Sequence, residues 1–161
     1  MRALTTLVLL PLFAAPLAAQ ESEALVKYFN KYPFDEVDGS TFLQRSEVVR
    51  VVRRSIPQQF LQEMVLSDEH TAGPIDGLDG YLQMSACEQH NCDDHRWVVA
   101  VKYDGSKGAV CYFNKDLSNG SRWFVDGRKV FEGSVFSTCE TGRMPSPVLK
   151  ALDEYVRPFN F

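Results

Sequence analysis

Cysteines at positions 87 and 92 bracket Glu88, Gln89, His90 and Asn91, so one disulfide closes a six-residue loop with an imidazole near its tip. Presented in this way, His90 is the point of a rigid hook suited to plugging a cavity in another molecule. Its ring offers two nitrogens whose donor or acceptor character follows tautomer and charge. The same neighbourhood permits a second chemistry. His90, Asp93, Asp94 and His95 are imidazole and carboxylate groups of the kind that hold Zn²⁺ or Cu²⁺, which makes a metal or small-ligand binding protein the alternative function. Disulfide-bonded cysteines would not join such a site, and Asp93-Asp94-His95 reads equally well as a solvated turn before a strand. Enzymatic chemistry has less to work with. The chain carries no nucleophile elbow, no His-Glu-x-x-His and no glycine-rich phosphate loop, so neither a catalytic residue nor a cofactor is expected.

The compartment decides what the cysteines are. Arg2 precedes an apolar run over residues 3–17 that ends in Ala18-Ala19 before a polar stretch, the pattern of a secretory signal peptide over residues 1–19. The run is too short for a comfortable membrane span, and cleavage after Ala19 leaves Leu17 at an imperfect −3 position. Residues 20–161 are then expected to form a single exported domain. In an oxidising compartment the chain's 4 cysteines argue for two disulfides rather than zinc or redox thiols. Of the three pairings, Cys87 with Cys92 and Cys111 with Cys139 is favoured. The first pair is close in sequence, and the second lies on segments that read as strands. The chain-entropy model assigns about 2 kcal/mol to the small loop and roughly 3 to 4 kcal/mol to the larger one. The chain has 17 Lys plus Arg against 21 Asp plus Glu, and its net charge of −4 becomes one unit more negative when Arg2 leaves. An acidic exported protein is a poor candidate for nucleic acid and a fair one for a basic partner.

The elements that must position the loop fall into a helical first half and a stranded second half. Residues 21–31 place Ala24, Leu25, Tyr28 and Phe29 on one helical face before Pro33. A second helix is expected after Ser40 as N-cap, with Phe42, Val49, Val52 and Ile56 at helical spacing, and a third opened by Pro57 with Phe60, Leu61 and Met64. Arg45, Arg50, Arg53 and Arg54 on the second helix read as a solvated face. Residues 67–80, punctuated by glycines and Pro74, read as loop or irregular strand. Strands follow over residues 81–86, 96–103, 108–114, 121–125 and 129–137, separated by Asp-Gly and Asn-Gly turns, with Trp97 and Trp123 in the core or Trp97 rimming the loop. Asn119-Gly120-Ser121 matches a glycosylation sequon and is read as a turn. A last helix covers residues 146–155. The pattern predicts an α+β domain, an antiparallel sheet of about five strands with helices packed on one face and a protruding disulfide-closed loop.

The run Tyr81-Leu82-Gln83-Met84-Ser85-Ala86-Cys87, followed by His90, Cys92 and an apolar strand, resembles the Ivy family of periplasmic inhibitors of vertebrate, c-type lysozyme. That family's loop is usually Cys-Lys-Pro-His-Asp-Cys, and Cys87, His90 and Cys92 match it in identity and spacing. The likeness extends more loosely through Ile56-Pro57, residues 108–113, Trp123, Asp126-Gly127 and the closing Phe159-Asn160-Phe161. It covers most of the chain, with its specific part around the loop. Three positions depart from the pattern. Glu88 stands for Lys, Gln89 for Pro and Asn91 for Asp.

The resemblance implies a periplasmic inhibitor that inserts the loop Cys87, Glu88, Gln89, His90, Asn91 and Cys92 into a lysozyme cleft, and it implies a homodimer because family members are often dimers. The implied chemistry is coherent. A retaining glycosidase holds two catalytic carboxyl groups about 5 to 5.5 Å apart, and an imidazole between them can hydrogen-bond both. Neighbouring carboxylates favour the imidazolium, which donates from both nitrogens. Disulfide closure lowers the ordering cost of binding, and an acidic inhibitor is steered toward a basic enzyme. The departures act against this. Without Pro the loop is looser, and Glu88 near two enzyme carboxylates is repulsive unless it reaches a basic residue on the cleft rim. A relative with this altered loop and another partner, such as a bacterial glycan-cleaving enzyme, is the further alternative.

Overall fold

The middle strands are apolar in both alternations, and this sets the architecture. In β4 (His95–Lys102) Trp97, Val99 and Val101 project to one face and Val98 and Ala100 to the other, all buried. In β5 (Gly108–Asn114) residues 108–113 are likewise buried. Strands sealed on both faces need cover on both. The computed structural model describes residues 25–117, 120–133 and 139–154. The expected signal peptide, the sequon's Asn119, residues 134–137 of the last expected strand, Tyr155 and the closing Phe159-Asn160-Phe161 lie outside them.

The sheet is antiparallel and has seven strands, in the order β1-β3-β4-β5-β6-β7 with β2 also on β3. β1 (His70–Ala72) and β2 (Asp76–Leu78) share one edge of β3 (Tyr81–Glu88). β1 lies opposite Ala86, Cys87 and Glu88, and β2 opposite Tyr81, Leu82 and Gln83. β6 (Ser121–Val125) and β7 (Arg128–Gly133) complete the other side. The α+β class and the antiparallel meander agree with the sequence pattern, and the two further strands come from residues 67–80. Each is three residues long, too short for alternation to register.

Helix α1 (Ser46–Ser55) lays Val48, Val51 and Val52 on the face carrying Trp97, Val99, Val101, Val110 and Tyr112, and α2 (Gln59–Leu66) joins it through Leu61 and Val65. Gly108 permits this approach. A Cβ there would stand 2.2 Å from the Ala100 carbonyl oxygen and 2.6 Å from a Val51 methyl. Helix α3 (Ser146–Glu154) packs Val148, Ala151 and Leu152 on the opposite face against Val98, Cys111, Phe113 and Trp123. The helices therefore flank the sheet on both sides instead of one, because the second alternation of β4 and β5 is as apolar as the first.

Local differences have local causes. Among the described residues of the first expected helix only a 3-10 turn forms, Val26–Tyr28, tied down where the Tyr28 hydroxyl donates to the Ser40 carbonyl at 2.9 Å. The second helix begins after Arg45, not Ser40. It follows a 3-10 turn, Phe42–Gln44, in which the Gln44 side-chain oxygen accepts the Thr41 N–H at 3.0 Å. Its buried face runs through Val48 and Val51, with Val49 at its margin. Pro57 precedes the third helix, and Phe60 is exposed because Leu61 and Val65, four apart, make the inward stripe. The arginine run is solvated yet anchored. Arg45 pairs with Glu47 at 3.0 Å, Arg54 with Asp126 at 2.9 Å, and Arg50 donates to the Gly105 carbonyl at 3.2 Å.

Both expected disulfides are formed, Cys87–Cys92 and Cys111–Cys139. Cys139 follows β7 and lies on no described strand, so this bridge ties a connecting segment to β5. No helix of the described residues is long and apolar enough to cross a membrane, and the disulfides are consistent with export. Leu152 is 1% exposed and seals the α3 face. Leu152→Ala is expected to cost about 2 to 5 kcal/mol in urea unfolding. A loss near zero would mean that α3 does not close the second core.

Candidate functional site

The hook grows out of the sheet. Cys87 and Glu88 are the last residues of β3, held on one side by β1, with His70 opposite Glu88 and Thr71 opposite Cys87, and on the other by β4, with Arg96 opposite Cys87. The Cys87 and Cys92 α-carbons are 4.9 Å apart, and the Asn91 N–H donates to the Glu88 carbonyl at 3.0 Å, closing a four-residue turn. On the far side the Asn91 carbonyl accepts the His95 N–H at 2.9 Å, and the Arg96 Nε donates to the Cys92 carbonyl at 2.7 Å. The loop thus has a fixed base on two neighbouring strands, and β1 is the clamp that sequence reading missed.

At the tip, Gln89 and His90 are exposed, and His90 has a φ of 65°. This left-handed conformation is uncommon for a residue with a side chain, although His tolerates it better than most. It turns the imidazole outward at the third position of the turn. The two flanking polar residues do something else. The Asn91 amide donates to the Glu88 carboxylate at 2.9 Å, and the same oxygen lies 3.0 Å from His95 Nδ1. These two donors, Asn91 first, hold the Glu88 carboxyl below its ordinary range. The other ring nitrogen of His95 is 2.9 Å from the Tyr112 hydroxyl. Glu88 therefore has a basic partner within the protein itself.

The strand alternation explains the grouping. Glu88, His95 and Tyr112 share a face with Trp97, whose buried ring meets the edges of His95 and His70 at centroid distances of 5.6 and 4.5 Å. Trp97 is core and rims no surface beside the loop. His70, whose ring contacts the Met64 carbonyl, and His95, a candidate metal ligand by residue type, are both structural partners of this corner.

The candidate metal ligands are not brought together. Asp94 pairs with Lys115 at 2.9 Å, Asp93 lies 3.6 Å from Arg96, His95 faces Glu88 and Tyr112, and His90 points outward at the tip. Among the described residues no group of three His, Cys, Asp or Glu is arranged to hold a metal ion. On the opposite face of the loop base an open cavity of about 350 Å³ is bordered by Thr71, Ser85, both loop cysteines, Arg96 and Glu140.

Comparison with protein-family models, with curated proteins and with solved structures finds no match to this chain. Two expectations follow. Gln89 occupies the second position of the turn, where Pro is favoured, after an extended residue that tolerates Pro next. Gln89→Pro is expected to raise stability by about 0.4 to 1 kcal/mol in denaturant unfolding, and a loss would show that the turn has a different backbone shape. Cys92 is partly exposed, whereas Cys139, which borders the same cavity, is 3% exposed and Cys111 is 0% exposed. Mild dithiol treatment followed by alkylation and mass spectrometry should label Cys87 and Cys92 first. Simultaneous labelling of all four would contradict the difference in access.

Proposed function

We propose that this protein is an exported, periplasmic inhibitor of c-type lysozyme that acts by inserting its disulfide-closed loop into the enzyme's active-site cleft, with His90 between the two catalytic carboxyl groups. The observation that carries the reading is the exposed, left-handed placement of His90 at the tip of a loop that connects the adjacent strands β3 and β4 and is closed by Cys87–Cys92. Such a loop enters a cleft without the ordering cost that a flexible segment would bear, and it offers no glycosidic bond to cut.

The internal use of Glu88 supports the same reading. Its carboxylate is engaged by Asn91 and His95 on the flank of the loop, so its charge is partnered within the protein although all four turn residues, Glu88 to Asn91, are exposed. The net negative charge favours approach to a basic enzyme. In this reading the protein is not itself an enzyme, and a homodimer is compatible with it.

The direct test is inhibition of a c-type lysozyme on cell-wall substrate by the oxidised protein, beside His90→Ala with its fold checked by circular dichroism. The wild-type protein is expected to inhibit, and the variant to lose at least about thirtyfold in affinity, the scale of truncating a central interface residue at about 2 to 4 kcal/mol. Absence of inhibition by the wild-type protein at a large excess over enzyme would overturn the reading and point to a different partner for the loop.

A further inference from the structure

We infer that His95, oriented by Tyr112, is the positioning residue of the hook, doing by hydrogen bonding what a proline would otherwise do in the turn. The chain of groups has a direction. A carboxylate only accepts, so His95 must carry its proton on Nδ1 to engage Glu88. The other ring nitrogen, Nε2, pairs with the Tyr112 hydroxyl at 2.9 Å, which donates to a neutral ring and accepts from an imidazolium, so the link to the sheet holds in either form. Tyr112 is 2% exposed, and burial pushes its phenol above its ordinary value, so the hydroxyl keeps its proton. The Asn114 amide donates weakly to the same oxygen at 3.4 Å.

The order Asn114 to Tyr112 to His95 to Glu88 therefore runs from the central strand β5 through β4 to the first residue of the loop. Asn91, on the far side of the tip, donates to the same Glu88 oxygen. One carboxylate oxygen thus joins the two flanks of the turn to the sheet, and His90 lies between the residues it joins. The His95 side chain is only 13% exposed and packs edge-on against Trp97 and Tyr112, at 5.6 and 5.3 Å, so the anchor is itself fixed by the core. A chelate of this kind restricts both ends of a turn whose second residue, Gln89, imposes no backbone constraint of its own. The effect on inhibition rests on the proposed function; the effect on loop order does not.

Two replacements of His95 separate positioning from mere stability. An asparagine places its amide nitrogen near the position of Nδ1 and can still donate to Glu88, whereas a glutamine reaches toward Nε2 and Tyr112 and leaves Glu88 without its sheet donor. Amide hydrogen exchange at Asn91, whose N–H closes the turn, is measured on the oxidised full chain. His95→Gln is expected to lose about tenfold protection there, the scale of one hydrogen bond to a charged group, and His95→Asn to remain within about threefold of wild type. Glu88→Ala, at an exposed site with little folding risk, should reproduce the His95→Gln result. Affinity for c-type lysozyme should fall in parallel in His95→Gln and recover when Gln89→Pro is added.

Equal protection in wild type, His95→Gln and Glu88→Ala would overturn the inference, as would equal loosening by His95→Gln and His95→Asn. If protection follows the expected pattern while the wild-type protein fails to bind lysozyme, the positioning role stands and the proposed function falls. If lysozyme is bound and protection does not change, the reverse holds.

Discussion

Everything in this fold depends on burying both faces of the β4–β5 pair. A strand with Trp97, Val99 and Val101 on one side and Val98 and Ala100 on the other cannot leave either side in water. The first face is closed by α1 and α2, with Gly108 allowing Val51 to sit directly on the strand backbone. The second is closed by α3 and by the segment that Cys111–Cys139 ties to β5. The disulfide and α3 thus serve the same requirement by different means. One restricts the unfolded chain, and the other removes apolar surface from water.

The same two-faced alternation decides the chemistry of the loop. Residues that continue the Trp97 face beyond the core become its polar edge, which is why Glu88, His95 and Tyr112 meet there. Residues that continue the other face, Cys87 and Arg96, border the open cavity. A single imidazole at the start of β4 belongs both to an aromatic stack and to a hydrogen-bonded chain, so the rigidity of the core reaches the base of the hook. His90 is the counterpart, carried outward by a left-handed backbone with no place in the core.

Set against the sequence pattern, the departures at positions 88 and 91 take on a different meaning. Read singly, Glu88 is an acidic residue and Asn91 a neutral polar one on an exposed loop. Side by side across the turn they form a matched acceptor and donor. Their partner His95 lies outside the loop, and so no inspection of residues 87–92 alone reveals it.

Much of the architecture was legible because it repeats at short range. Period-two runs, Asp-Gly turns and the spacing of the cysteines pointed to the antiparallel strands between residues 81 and 133, favoured the disulfide pairing that formed, and singled out the loop with His90 at its tip. Helical periodicity indicated that residues 46–55, 59–66 and 146–154 are helical, while the start and inward face of the first of these shifted where capping and packing settled them. What only the tertiary structure decided are the contacts between segments far apart in the chain. These are the placement of α3 opposite α1, the short strands β1 and β2 that form only against the edge of β3, and the union of Glu88, His95 and Tyr112. The physical reason is the same in each case. Local spacing specifies which way a side chain points, but what it meets depends on which strand becomes its neighbour.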